Sequence, residues 1–216
     1  MTHSKPPKSL HARWTTFTAP LFAGPDATEI VWGTLDSGYS DPARAYHNWE
    51  HISECLALLD DYRSLCDDPI LVEMAIWFHD LVYDTMNHQN ELDSAESMED
   101  CVVRAGWGKE DKIKKVYQLI LDTKHTKPAA SKDGELLVDI DLAIFGSKNA
   151  RFWRYEQAIR QEYHWVEAEQ YKKGRREILT RFLERPRLYS TPPLYERFEV
   201  QARVNLADSL NYLASS

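Results

Sequence analysis

Apolar side chains recur at helical spacing through most long segments of the chain, and this pattern constrains the fold more than any other feature. Between residues 41 and 62 the recurring positions are Tyr46, Trp49, Ile52, Leu56, Leu59 and Tyr62. They lie three or four residues apart, which is the spacing of one face of an α-helix. The 216 residues include only 8 Gly and 10 Pro, fewer than a turn-rich β fold normally needs. The sequence therefore predicts an all-α protein.

Two Asp-Pro pairs indicate where helices begin. In Asp41-Pro42 and Asp68-Pro69 an aspartate can cap the first turn, and proline fits the first helical position. The helix after Asp68 is apolar nearly all round apart from Glu73, so we expect it to be central and buried. Further helices are predicted over residues 91–105, 109–125, 149–173, 175–184 and 193–213, with a polar loop over 127–135.

The segment 136–145 admits two interpretations. Residues 138–142 alternate between apolar and acidic side chains, as in a strand, whereas Leu137, Asp141 and Ile144 also fit one helical stripe. Because the surrounding segments are helical and Gly146 can end a helix, a helix is favoured.

Charge and cysteine content narrow the functional classes. Residues 1–108 carry 6 Lys+Arg and 18 Asp+Glu, whereas residues 109–216 carry 20 Lys+Arg and 16 Asp+Glu. This charge asymmetry suggests either a cation site facing an anion site or solvated helix faces of unequal sign. The net charge of -8 argues against nonspecific nucleic-acid binding.

No apolar stretch suits a membrane span, and residues 1–7 lack the apolar core of a signal peptide. Cys55, Cys66 and Cys101 lack metal-ligand spacing and are interpreted as reduced cysteines of a cytoplasmic protein.

Three segments bring together side chains that bind metals. His47 and His51 are four residues apart, so both imidazoles are expected on one helix face. His79-Asp80 ends the most apolar helix, and Asp139-Ile140-Asp141 lies within an apolar stretch. Burying such groups without partners is costly. Two imidazoles and two carboxylates suit Mn, Fe, Co, Ni or Zn, so the pattern predicts a divalent metal site.

In their residues and in their order along the chain, these segments resemble the HD superfamily of metal-dependent phosphohydrolases, and most closely a bacterial branch whose substrate is unassigned. The resemblance covers most of the chain. The matching segments are Arg44-Ala-Tyr-His-Asn, Phe78-His-Asp-Leu-Val-Tyr-Asp84, Asn90-Glu91-Leu-Asp-Ser94-Ala95, Asp139-Ile-Asp-Leu-Ala-Ile-Phe-Gly146 and Ile159-Arg160-Gln-Glu-Tyr163. The resemblance implies an HD-domain helical bundle with additional C-terminal helices. We expect a single domain over 1–216, with an N-terminal extension (1–40), a metal-binding core (41–146) and C-terminal helices packed on it (147–216).

The resemblance also implies roles for individual residues. One or two divalent ions, of Mn, Fe, Mg, Co, Ni or Zn, would be held by His51, His79, Asp80 and Asp141. The segment 46–51 is similar to cyclic-nucleotide phosphodiesterases, in which the first histidine donates a proton to the leaving group; His47 is therefore the candidate general acid. Asp80, if it bridges two ions, would orient the attacking hydroxide. His47 in place of His51, and Asp139 in place of Asp141, remain open as ligands.

Three further residues are candidates for the same site. Glu91, eleven residues after Asp80, is a candidate for proton transfer, and Lys124 and His125 are candidates for binding the substrate. The function implied is hydrolysis of a nucleotide or another small phosphate ester by metal-activated water. A metal-binding module without activity and a di-iron oxygenase of the HD type are the alternatives. The oligomeric state is left open.

Overall fold

The computed structural model describes residues 7–215, which form ten α-helices and two short 3-10 helices without a strand. The predicted all-α fold is confirmed. Residues 1–6 of the predicted N-terminal extension lie outside the described range. The α-helices are α1 (Lys8–Thr18), α2 (Pro25–Tyr39), α3 (Trp49–Tyr62), α4 (Pro69–Phe78), α5 (Asn90–Arg104), α6 (Glu110–Asp122), α7 (Lys132–Asp141), α8 (Asn149–Glu162), α9 (Ala168–Leu183) and α10 (Pro192–Ser215). Within residues 7–215, no helix combines the length and apolar character that crossing a membrane requires.

The chain divides into two compact units, the first ending at Leu137 and the second beginning at Val138. The first contains α1 to α6 and most of α7, and the second contains the end of α7 and α8 to α10. The segment 136–145 is helical, as favoured: α7 ends at Asp141 and a 3-10 helix follows over Leu142–Gly146.

Helix α4 lies at the centre of the first unit. Every residue from Leu71 to Phe78 is buried, and the Asp68 carboxylate caps the helix by accepting the Ile70 N–H; both features were predicted. Trp77 packs edge to face on Trp14, with ring centroids 5.4 Å apart. Such packing of large aromatic side chains supplies much of a core's stabilisation. The end of α4 is therefore a rigid support for the residues that follow it.

The single charge in α4 is neutralised within the first unit. Glu73 is 3% exposed, and its two carboxylate oxygens accept hydrogen bonds from Arg13 and Arg63, each at 2.8 Å. Arg13 also contacts Asp60 through both terminal nitrogens, at 2.6 and 2.9 Å. A buried carboxylate needs such partners, so Glu73 ties α1 and the end of α3 to α4.

In the second unit, α10 packs against the 3-10 helix Leu142–Gly146 and against α9. A Cβ at Gly146 would lie 2.8 Å from the carbonyl oxygen of Phe198, so only glycine allows this close approach. A buried ion pair between Arg175 and Glu156 joins α9 to α8.

The predicted start of α3 at Asp41-Pro42 is wrong. The helix begins at Trp49, because the Asn48 side chain accepts the Glu50 N–H and so takes the capping position. The Asn48 amide nitrogen also donates to the carbonyl oxygens of Arg44 and Ala45, which holds residues 41–48 in turns. His47 consequently precedes the helix.

Two boundaries later in the chain also differ from the prediction. The break expected at Gly174 lies instead at residues 163–167, and α9 runs through Gly174. Arg160 stabilises that break by donating to the carbonyl oxygens of Tyr163 and Val166, at 2.6 and 3.1 Å. The loop predicted over 127–135 ends early, since α7 begins at Lys132. There Asp133 accepts the backbone N–H groups of residues 67 and 68, at 2.7 and 3.0 Å.

Candidate metal centre

His79 is held in a single orientation at the end of α4. Its backbone N–H donates to the Ala75 carbonyl oxygen at 2.9 Å, and its ring is 1% exposed. Its Nδ1 lies 2.9 Å from the Ile76 carbonyl oxygen. A carbonyl oxygen can only accept, so Nδ1 carries a proton, and Nε2 is the nitrogen that can bind a metal once it gives up any proton of its own. Metal-binding histidines are commonly oriented by such a bond from the other ring nitrogen.

His51 lies opposite His79, on the first turn of α3. It is 2% exposed, and the Tyr46 ring packs against it with centroids 4.8 Å apart. The two Nε2 atoms are 3.1 Å apart. Nitrogen ligands bound at about 2.1 Å to one ion, at angles between about 90° and 110°, lie about 3.0–3.4 Å apart. The separation therefore fits two ligands of one ion.

The Asp80 carboxylate completes this group. Its Oδ2 is 3.3 Å from Nε2 of His51 and 3.1 Å from Nε2 of His79. Burial by itself would raise the pKa of Asp80. The charges of His79 and His47, with hydrogen bonds from the His51 and His79 rings, outweigh this effect and hold the pKa well below its ordinary value. The structure thus brings three of the four predicted ligands, His51, His79 and Asp80, together.

Cys55 also belongs to this group, although its spacing in the sequence suggested no ligand role. It is 2% exposed and lies one turn after His51 on α3. Its Sγ is 3.7 Å from Nδ1 and 3.8 Å from Nε2 of the His51 ring. Ligand atoms of His51, Cys55 and His79 all lie within 4.8 Å of one another. A Cys four residues after a candidate histidine on a predicted helix was the available signal.

The sequence predicted that His47 and His51 share a helix face. They do not, because Asn48 caps α3 and the helix therefore begins after His47. The rings of the two histidines are nevertheless near each other, with centroids 6.2 Å apart. His47 is half-buried and stacks on Tyr83, at a centroid distance of 3.9 Å and an interplanar angle of 24°. The stacking fixes the His47 ring beside the group without making it part of α3.

Arg44 holds the turn that carries Asp80. It donates to the carbonyl oxygens of Asp80 and Leu81, each at 2.7 Å, and to that of His47 at 3.4 Å. A planar guanidinium suits this task because several of its N–H groups point in fixed directions. Arg44 is therefore a positioning residue for the backbone on both sides of the group. In the sequence, the one signal for this role was that Arg44 belongs to the segment 44–48 that resembles the HD superfamily.

The three remaining candidates in the first unit are Glu91, Lys124 and His125. Lys124 Nζ is 3.4 Å from the Glu91 carboxylate and 2.7 Å from the His88 carbonyl oxygen, so Glu91 and Lys124 are ion-paired. His125 adopts a left-handed backbone conformation with φ of 56°, which is uncommon for a residue other than glycine. Proton transfer by Glu91 and substrate binding by Lys124 and His125 stay predictions.

The two aspartates of α7 differ in their surroundings within the second unit. Asp139 is fully buried, and its two carboxylate oxygens accept the N–H groups of Ser190 and Thr191 at 2.9 and 2.6 Å. These bonds fix the backbone just before α10 and give Asp139 a structural task. Asp141 is half-buried at the end of α7, and its assignment as a ligand stays a prediction.

The donor set of the first unit suits a divalent transition metal. Two buried imidazoles, an ionised carboxylate and a sulfur atom match the preferences of zinc, iron or cobalt. No protein-family model matches the chain, and no match is found among curated proteins or solved structures. The His51, Cys55, His79 and Asp80 side chains thus form a possible metal-binding site on an all-helical scaffold, compatible with a metal-dependent hydrolase.

Proposed function

We propose that the protein is a metal-dependent phosphohydrolase of the HD type, acting on a nucleotide or another small phosphate ester. The observation that carries this proposal is the 3.1 Å approach of the His51 and His79 Nε2 atoms beside the Asp80 carboxylate. The order of these residues along the chain, which resembles the HD superfamily, supports it further.

His51, His79 and Asp80 would hold the ion, and the resemblance adds Asp141 as a further ligand. When bound, a divalent ion supplies a more acidic water and a Lewis acid for a phosphoryl oxygen. The hydrogen bond from His79 Nδ1 to the Ile76 carbonyl oxygen keeps Nε2 directed at the site. Because this orientation is set before the metal ion binds, the His79 ring does not have to become ordered on binding.

His47 would protonate the departing oxygen of the substrate. Its stacking on Tyr83 and the Arg44 contact to its carbonyl oxygen keep the ring near the His51–His79–Asp80 group. An imidazolium near neutral pH can donate a proton to an alkoxide, which typically accelerates such a step by about 10²–10⁴. In the same proposal, Lys124 binds a phosphate oxygen and Glu91 assists proton transfer.

The proposal is tested by measuring bound metal and phosphate release together. The proteins are the wild type, His79→Ala, Asp80→Asn and a matched control, His11→Ala. His11 lies in the first unit but binds Glu29 at the surface, so its loss should leave metal and activity unchanged. The substrates are a panel of nucleoside phosphates, cyclic nucleotides and simple phosphate esters.

We expect the wild type and the control to hold metal and release phosphate, and both site variants to lose both properties. Full activity in the Asp80→Asn variant would refute the proposal. A metal-loaded wild type without turnover on the panel would favour a non-catalytic metal module. Bound iron together with an oxygen-dependent product would favour the oxygenase.

A further inference from the structure

Cys55 is the buried cysteine of the first unit that faces the candidate ligands. Its Sγ is 3.8 Å from Nε2 of His51. A sulfur at about 2.3 Å and a nitrogen at about 2.1 Å from one tetrahedral ion are about 3.6 Å apart. The observed distance to Nε2 is close to this value, but Sγ is also 3.7 Å from Nδ1, so the thiol lies beside the ring. A rotation about the Cα–Cβ bond of Cys55, which leaves the path of α3 unchanged, would have to turn the sulfur toward an ion on Nε2.

The other two cysteines have different surroundings. Cys66 and Cys101 are half-buried. Burial raises the pKa of both thiols, and nearby carboxylates, of Asp133 and Asp100 respectively, raise it further. Such surroundings disfavour the thiolate, which is the form that binds metals. Cys66 and Cys101 therefore serve as internal controls for Cys55.

A buried cysteine on an apolar helix face is commonly a small core residue. Helical spacing alone places the Cys55 sulfur beside the His51 ring, but it does not place a ligand nitrogen of His79 within 4.8 Å of the same group, as the structure does. A site of histidines and carboxylates accepts manganese or magnesium as well as zinc, whereas sulfur selects softer ions. Cys55 is thus placed where it can decide which metal the site prefers.

We propose that Cys55 is a sulfur ligand of the same ion as His51 and His79, and that it makes the site prefer zinc, cobalt or iron(II) over manganese and magnesium. This inference rests on the metal site of the proposed function. On binding, the S–H bond breaks, its proton passes to solvent and a sulfur–metal bond forms without any change of oxidation state.

The test is the absorption spectrum of the protein loaded with Co²⁺. Thiolate ligation adds an intense sulfur-to-cobalt charge-transfer band in the near ultraviolet, whereas nitrogen and oxygen ligands show only weaker visible bands. The proteins compared are the wild type, Cys55→Ser, the double variant Cys66→Ser/Cys101→Ser, and His79→Ala. In the double variant Cys55 is the remaining thiol of the chain, so its spectrum decides the question even if Cys55→Ser fails to fold.

We expect the charge-transfer band in the wild type and the double variant, and its loss in Cys55→Ser with the visible bands retained. Cys55→Ser should also weaken Zn²⁺ binding by about tenfold or more while leaving Mn²⁺ binding unchanged. Visible bands that disappear in His79→Ala, without a charge-transfer band in the double variant, would overturn the role of Cys55 and leave the metal centre intact. No bound cobalt in any of these proteins would overturn both.

Discussion

Replacing Arg44 tests whether the metal centre depends on a pre-positioned backbone. The guanidinium donates two 2.7 Å hydrogen bonds to the carbonyl oxygens of Asp80 and Leu81. Arg44→Ala removes both bonds and frees the turn that carries the Asp80 carboxylate. Arg44→Lys restores a charge that can reach one carbonyl at a time.

The magnitude follows from these two bonds. A hydrogen bond involving a charged group contributes about 1.5–3 kcal/mol, and Arg44 is only half-buried, so the lower end of the range applies. Arg44→Ala should therefore lower the free energy of unfolding by about 3 kcal/mol, and Arg44→Lys by about half as much. Because the turn then adopts several conformations, metal affinity should fall by about tenfold, equal to about 1.4 kcal/mol.

The assay combines urea unfolding of the metal-free protein with metal binding measured by competition with a chromophoric chelator. Arg13→Ala is the matched control, since Arg13 makes comparable bonds to Glu73 and Asp60 but contacts no residue of the proposed site through them. We expect the control to lose stability at unchanged metal affinity. If Arg44→Ala and Arg13→Ala behave alike in both measurements, the positioning role of Arg44 is wrong.

Three further predictions concern single side chains. His47→Gln should keep its metal and lose turnover by roughly 10²–10⁴, measured by elemental analysis and phosphate release; a parallel loss of metal would make His47 a ligand instead. Asp139→Ala should lower the free energy of unfolding by about 1–2 kcal/mol at full metal content, whereas Asp141→Ala should lower metal content; the reverse pattern would exchange the two assignments. Burial raises the pKa of the Cys66 thiol to about 11. With the other two cysteines changed to serine, its alkylation rate should therefore rise about tenfold per pH unit up to that value, and a plateau near the ordinary value of 9 would contradict the shift.

Local sequence signals predicted the helices well where one capping residue dominated. Asp68 accepts the Ile70 N–H and starts α4 where expected. The same Asp-Pro signal at Asp41 failed because Asn48, seven residues later, caps α3 with its own side chain. A sequence pattern does not show which of two good caps is used, because the choice depends on the tertiary contacts that each start allows.

The candidate site shows the same division between local and distant information. The helical periodicity predicted His51 on one helix and His79 late in another. The structure places His51 in the first turn of α3 and His79 directly after the last residue of α4, and both are buried. Spacing alone could not reveal the contact between Cys55 and the His51 ring, or the bonds from Arg44 to the turn at Asp80, because these depend on how α3 and α4 pack. In the second unit, the burial of Asp139 against the start of α10 likewise depends on residues about fifty positions away.

The most direct test of the central claim, a metal ion held between His51 and His79, is anomalous X-ray diffraction from crystals of the zinc-loaded protein. Data collected on the two sides of the zinc absorption edge locate the ion without reference to any assumed ligand. We expect an anomalous peak within bonding distance of the two Nε2 atoms and of the Asp80 carboxylate. Fully loaded crystals whose zinc peaks all lie elsewhere would contradict the account.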